Sequence, residues 1–275
     1  MNMLFKIKIF LIRLICYEKP LRVAIVRYFS LKFKFFRPHY ESALYEISKE
    51  AKRLGINQIS AIELGVAGGN GLVSLEKYAK KISKTTGITI KTYGFDFGEG
   101  LPPTQNVYDL PFYWKVGIFK SNEDFLSKKC NSKIYYGDIK DTAKVFFNEV
   151  EAPIAFVSVD LDFYSSTKSF LDLISINKNK FLPRSYFYFD DLFSPENYNY
   201  EFNGEMKAIK EFNKSHKSIK LGSSIDHIHN FKFPLCKSSI FTLHVFDNDK
   251  YLNYVGFDDE DTLEFGSSKV RKGLF

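Results

Sequence analysis

The chain of 275 residues predicts an α/β domain: a doubly wound, mostly parallel sheet with a helical N-terminal arm before it and an antiparallel hairpin at its C-terminal end. Three observations predict it. Strand-length apolar runs alternate with helical periodicity from residue 58 to residue 216. The first strand-to-helix turn is glycine-rich, 63-ELGVAGGNG-71. Two later apolar runs end in paired acids, 154-IAFVSVDLDFYSST-167 and 186-YFYFDDLF-193. Alternation of this kind implies parallel strands with helices on both faces and right-handed crossovers.

In chain order, 41-ESALYEISKEAKRLG-55 places Ala43, Leu44, Ile47, Ala51 and Leu54 at helical spacing, with Gly55 as the stop. Residues 58–66 read as a buried strand and 71–82 as the helix after the glycines. Strands follow at 90–96, 133–138, 154–161 and 185–191, and helices at 141–150, 165–174 and 204–216. Between the second and third strands lies an irregular stretch that opens on the Pro/Gly loop around 98-GEGLPP-103. After Lys217 the alternation stops. Segments 237–246 and 250–257 flank Asp247-Asn248-Asp249 and read as the closing hairpin. With no internal repeat and no long linker, the simplest organisation is an arm, 1–40, and one domain, 41–275.

Apolar residues make up 45% of the chain, enough for a sizeable core, which excludes global disorder. The 29 Phe and 17 Tyr read mainly as a compositional bias. Net charge is +7, and residues 1–40 hold nine Lys or Arg against Glu18 alone, so the basicity belongs to the arm. Its apolar run, broken by Lys8 and Arg13, is too short and too charged to span a membrane, and it lacks the features of a signal peptide. Residues 1–36 suit either contact with an anionic membrane surface or packing on the domain or on a second copy of the chain. No RNA-binding module follows, so nucleic acid is not an expected partner. Cys16, Cys130 and Cys236 form no CxxC pair, which argues against a disulfide framework and a zinc site and favours a reducing, cytoplasmic compartment.

The glycine turn excludes two phosphate-binding patterns. After Gly65 the next glycine is Gly68, so GxGxxG fails, and no Gly-Lys-Ser/Thr follows. What remains is an acid, one residue, Gly65, three residues, Gly69, one residue, Gly71. This resembles motif I of the class I S-adenosylmethionine-dependent methyltransferases. The resemblance places Glu63 below the loop, with Gly65, Gly69 and Gly71 at the cofactor. Asp96, ending the next strand, is placed to accept hydrogen bonds from ribose hydroxyls. Asp138, ending the third, is placed near the adenine amine.

Asp160 and Asp162 share a strand face, and Asp190 and Asp191 end a run expected to be the neighbouring strand. Two carboxylates about 4 Å apart repel by roughly 4 kcal/mol at an effective dielectric of 20, so the group needs protons or a cation. Oxygen-only ligands favour Mg²⁺, Mn²⁺ or Ca²⁺ over zinc.

Taken together, 160-DLDFYSST-167, 96-DFGEGLP-102, 137-GDIKDT-142, 190-DDL-192 and 204-GEMKA-208 resemble, in order, the motifs of the macrocin O-methyltransferase family. That family methylates sugar hydroxyls. The resemblance spans about residues 60–215 and departs from the family pattern at Leu161, Phe163, Ile139, Leu192 and Phe97-Gly98. It implies a Rossmann-like methyltransferase fold, S-adenosylmethionine as cofactor and a sugar or other glycan-type acceptor. It also implies Asp160, Asp190 and Asp191 as ligands of Mg²⁺, and Asp162 as general base. His227 and His229, in 226-DHIHN-230, are further candidates for the base. Two alternatives stay open: a glycosyltransferase holding its metal with Asp160-x-Asp162, and a non-catalytic membrane-associated adaptor. Homo-oligomerisation is left open.

Overall fold

The computed structural model describes residues 37–192, 201–223 and 240–256. Residues 1–36 of the expected arm, the candidate bases His227 and His229, and Cys16 and Cys236 lie outside the described residues.

The elements follow the predicted alternation. Helix α1 (Pro38–Arg53) leads to β1 (Gln58–Leu64), α2 (Asn70–Thr86) and β2 (Thr89–Asp96). A 3₁₀ turn (Val107–Asp109) and α3 (Glu123–Lys129) precede β3 (Lys133–Tyr136) and α4 (Ile139–Glu149). Then come β4 (Ile154–Val159), α5 (Tyr164–Ile176), a second 3₁₀ turn (Lys178–Lys180) and β5 (Phe181–Phe189). Helix α6 (Gly204–Ser215), β6 (Ile219–Ser223) and β7 (Ile240–Val245) complete the described chain.

The seven strands form one sheet in the order β3-β2-β1-β4-β5-β7-β6. The first five pair in parallel, and β7 runs antiparallel to both β5 and β6. The order reverses between β1 and β4, the place where open α/β sheets bind ligands beyond the strand ends. β4 is buried at every position, which is why it reads as an unbroken apolar run. Helices α1 and α2 pack through Leu44, Leu75 and Tyr78 against one face of the sheet, beside Ala61 and Phe156. Helices α4, α5 and α6 cover the other through Phe146, Phe170 and Phe212. Phe95, Phe146, Phe147, Phe156, Phe163, Phe170, Phe181, Phe187 and Phe189 are among the largest fully buried side chains, so much of the phenylalanine excess builds the core. Burying each is worth about 1.5–3 kcal/mol.

The antiparallel pair at the end is present, but its members differ from those expected. They are 219–223 and 240–245, and the residues after Asp247-Asn248-Asp249 form turns. The short, partly polar run IKLGS carries too little alternation to announce β6. β5 also begins four residues before the expected start. Pro183 lies in it and can donate no ladder bond, and the register with β4 shifts between Ile154 and Phe156. Among the described residues no helix is long and apolar enough to cross a membrane.

Candidate active site

The glycine turn is shaped by the chain's own packing. Gly65 has φ +83°, and a Cβ there would stand 1.8 Å from the carbonyl oxygen of Asp160. Gly69 caps α2 in the left-handed region, with Leu126 of α3 filling the space its Cβ would take. A Cβ on Gly71 would stand 1.7 Å from Glu63 Oε1. The missing side chains thus bring β4, α3 and Glu63 against the turn. Of the turn's glycines, Gly65 lines the cavity beyond the sheet; Gly69 and Gly71 do not.

That cavity, of about 400 Å³, runs from the turn to the ends of β4 and β5. Asp96, Asp138, Asp160, Asp162, Asp190 and Asp191 all line it. Asp96 is held by backbone amides: Oδ2 accepts from Val66 at 3.0 Å and Ala67 at 2.7 Å, and Oδ1 from Gly98 at 2.7 Å. Those bonds tie the end of β2 to the glycine turn. Asp138 caps α4, accepting from the amide of Lys140 at 3.0 Å. Glu63 is nearly fully buried on β1 below the turn. Its Oε1 accepts from Tyr40 at 3.5 Å, and its Oε2 has no partner.

Carboxylate oxygens of Asp160, Asp162 and Asp191 lie within 4.8 Å of one another. The convergence follows from the topology, because β4 and β5 are parallel neighbours whose carboxyl ends meet. The segment after β4 turns sharply, with Asp162 at φ +58°, and the amide of Asp162 donates to Asp191 Oδ2 at 3.2 Å. Asp190 lines the same cavity, and its Oδ1 accepts from the Tyr188 hydroxyl at 2.5 Å.

Three further residues serve this site and were not anticipated. Glu205, in the first turn of α6, is fully buried; Oε2 accepts from the amide of Asp191 at 3.2 Å and Oε1 has no partner. Its one sequence signal is an acid directly after Gly204 in the helix that follows the Asp-Asp pair. Tyr40 shares a 2.5 Å hydrogen bond with Ser158 beneath the cavity. Asp109 is also fully buried and accepts from the amide of Ser165 at 2.8 Å, its hydroxyl at 3.0 Å and the amide of Gln105 at 2.8 Å. Helix α5 has no side-chain cap at Phe163, so Asp109 supplies one from across the fold. It thereby ties the cavity wall at Gln105 to the helix that starts just after Asp162.

Burial, then repulsion from Asp190 and Asp191, pushes Asp160 well above the carboxylate range. Burial, then Asp162 and Asp190, does the same to Asp191. Asp162 is pushed up to about 8 by burial, then by Asp160 and Asp190. Burial and the neighbouring aspartates raise Glu205 as well. Glu63 rises to about 8, mainly by burial, with the nearby Arg37 charge opposing. This is a cluster of hard oxygen donors crowded beyond what solvent or partner groups neutralise. It fits a hard divalent cation, with Asp160 and Asp191 at its centre.

No family model matches the chain, and no curated protein matches it. Solved structures do. The crystal structure of CalS11, a calicheamicin methyltransferase, superposes with a TM-score of 0.52 at 20% identity, over 85% of this chain and 89% of that one. An apo structure of CalS11, described as a TDP-rhamnose 3′-O-methyltransferase of calicheamicin biosynthesis, aligns at 0.45 and 18%, over 76% and 80%. The plantazolicin methyltransferase BpumL, in complex with SAH, aligns at 0.36 and 15%, over 95% and 87%. The chain therefore has the Rossmann-like fold of the class I S-adenosylmethionine-dependent methyltransferases.

Proposed function

We propose that this protein is an S-adenosylmethionine-dependent O-methyltransferase, assisted by a divalent cation, that acts on a hydroxyl of a sugar or glycan-type acceptor. The observation that carries the reading is the meeting of Asp160, Asp162 and Asp191 within 4.8 Å in a cavity that begins at the Gly65 turn. The order of motifs from 96-DFGEGLP-102 to 204-GEMKA-208 supports the sugar-type acceptor.

In this reading Asp96 would accept from the ribose hydroxyls, and Asp138 and Ile139, which line the same cavity, would border the adenine. Asp160, Asp190 and Asp191 would hold the cation, which would offset the crowded negative charge and make the acceptor hydroxyl more acidic. Asp162 receives the hydroxyl proton as the oxygen attacks the methyl carbon in line. The methyl–sulfur bond breaks, and the sulfonium leaves as the neutral thioether of S-adenosylhomocysteine. Glu205 holds the backbone of Asp191 and so orients its carboxylate.

Calorimetry with S-adenosylmethionine and with UDP-sugars, with and without Mg²⁺, tests the reading. It expects S-adenosylmethionine to bind and methyl transfer to a sugar acceptor to require the cation. Binding of a UDP-sugar alone would overturn it in favour of the glycosyltransferase alternative, and binding of neither would favour the non-catalytic membrane-associated adaptor.

A further inference from the structure

The outer face of α2 carries Lys77, Lys80, Lys81 and Lys84 at helical spacing, so all four ammonium groups project from one side of the helix. With Lys129 from the last turn of α3 they line a shallow surface groove of about 600 Å³. Lys80 is paired with Glu76 at 2.5 Å, and Lys81 with Glu41. Among the described residues no carboxylate pairs with Lys77, Lys84 or Lys129, and all three are exposed. The excess is local. Of 39 basic and 32 acidic residues, eight and one lie in residues 1–36, which leaves 31 of each sign in the rest of the chain. Three lysines with no carboxylate partner among the described residues, gathered on one face of a stretch with no net charge, make a field directed outward from that face.

The N-terminal end of α1 meets the edge of this face, where Glu41 in its first turn pairs with Lys81. The backbone N–H of Arg37 donates to the hydroxyl of Tyr78 on α2, next to Lys77 and one turn from Lys81. Residues 1–36 precede this point in the sequence. Their composition names the chemistry of the partner. Residues 1–15 hold eleven apolar residues with Lys6, Lys8 and Arg13 among them. A nucleic acid would meet the basic groups but give the apolar ones nothing to enter. A bilayer with anionic headgroups takes both.

We infer that the lysine face of α2 and α3 is a docking surface for an anionic phospholipid bilayer. This inference is independent of the catalytic reading. Each lysine near an anionic surface is worth roughly a fivefold change in partition, so neutralising the three unpaired ones costs on the order of a hundredfold.

The test is flotation of the full chain with vesicles of phosphatidylcholine alone and of phosphatidylcholine mixed with phosphatidylserine. The full chain is expected to float with the mixed vesicles and to be released by high salt. The variant Lys77→Gln/Lys84→Gln/Lys129→Gln should partition about a hundredfold more weakly. A control variant, Lys144→Gln/Lys214→Gln/Lys217→Gln, removes the same charge on the side covered by α4 and α6 and should bind within a few-fold of the parent. All three lysines in each set are exposed, and matching thermal melts verify folding. The inference is overturned if the two variants weaken alike, if phosphatidylserine makes no difference, or if a duplex RNA displaces the full chain from the mixed vesicles.

Discussion

Two glutamates near α2 are both closed off from solvent, at 3% exposure for Glu63 and 7% for Glu76, yet their surroundings drive them in opposite directions. Glu76 accepts from Cys130 Sγ, the amides of Asn131 and Ser132, Asn131 Nδ2, the Ser132 hydroxyl and Lys80. Burial alone would raise it, but these donors together hold it well below the usual carboxylate range. Glu63 has one long bond from Tyr40 and an unpartnered oxygen, so burial dominates and lifts it to about 8. Glu63 also sits deeper than Glu76, so partners and depth together decide the charge state. The region around Glu76 is a finished staple joining α2 to the start of β3. The region around Glu63 and the aspartates lacks donors where a ligand would supply counter-charge.

The sharpest way to break this contrast is Asp191→Asn. It removes one carboxylate from the unfinished region at constant volume. Methyl transfer should fall on the order of a thousandfold. Meanwhile the metal-free protein should become more stable by about 1–3 kcal/mol, because repulsion is relieved. Activity assays and thermal melts with and without Mg²⁺ read both, and a metal-free protein that is destabilised by the change would refute the crowding.

Glu76→Ala should act in the opposite sense. Half a dozen donors lose their acceptor, at a cost of about 3 kcal/mol in denaturant unfolding, with activity per folded molecule retained at temperatures well below the melt. Should Glu76→Ala and Asp191→Asn shift stability in the same direction, the distinction between the regions fails.

Stability against pH sharpens the comparison further. The pKa of Glu63 is raised in the folded state, to about 8 from an ordinary 4.5, so the folded state keeps a proton that the unfolded chain gives up first. Its stabilising effect is complete below about 4.5, declines as pH rises and is exhausted above about 8. The slope from one such group is at most about 1.4 kcal/mol per pH unit. Arg37 narrows this pH window by favouring the charged form, and Asp190 and Asp96 widen it. Melting of metal-free protein across this range should show a decline to which Asp162, also raised to about 8, contributes as well, and Glu63→Gln should make it shallower by the share of one group. Glu76, already ionised, contributes no such decline there.

The smallest effect is expected at Asp109, a finished site next to the unfinished one. Asp109→Ala removes the cap of α5 for about 1–2 kcal/mol. Because Asp109 also ties down Gln105, hydrogen exchange at 104–110 should quicken in the ligand-free protein, and KM for the acceptor should rise more than kcat falls. Unchanged exchange in that segment would remove its positioning role.

Much of the frame was legible because it depends on local pattern. The unbroken apolar run 154–159 and the period of 43, 44, 47, 51 and 54 predict a buried strand and an amphipathic helix whatever surrounds them. The paired acids were legible as strand ends, and their meeting followed from the neighbouring places of β4 and β5. β6 escaped notice because five mixed residues carry almost no periodic signal, and the hairpin partner was misplaced because Asp247-Asn248-Asp249 has turn chemistry without a second strand after it. Glu205, Asp109 and Glu76 were not legible as site or staple residues. Each acts on groups 14 to 56 positions away, and sequence spacing says nothing about such distances.

By itself the sequence determined the alternation of strands and helices, the glycine turn and the presence of four aspartates at two strand ends, because steric and hydrophobic preferences act over a few residues. Tertiary structure alone decided which carboxylates receive donors and which are left crowded, because charge state depends on the groups that distant segments bring within about 3 Å.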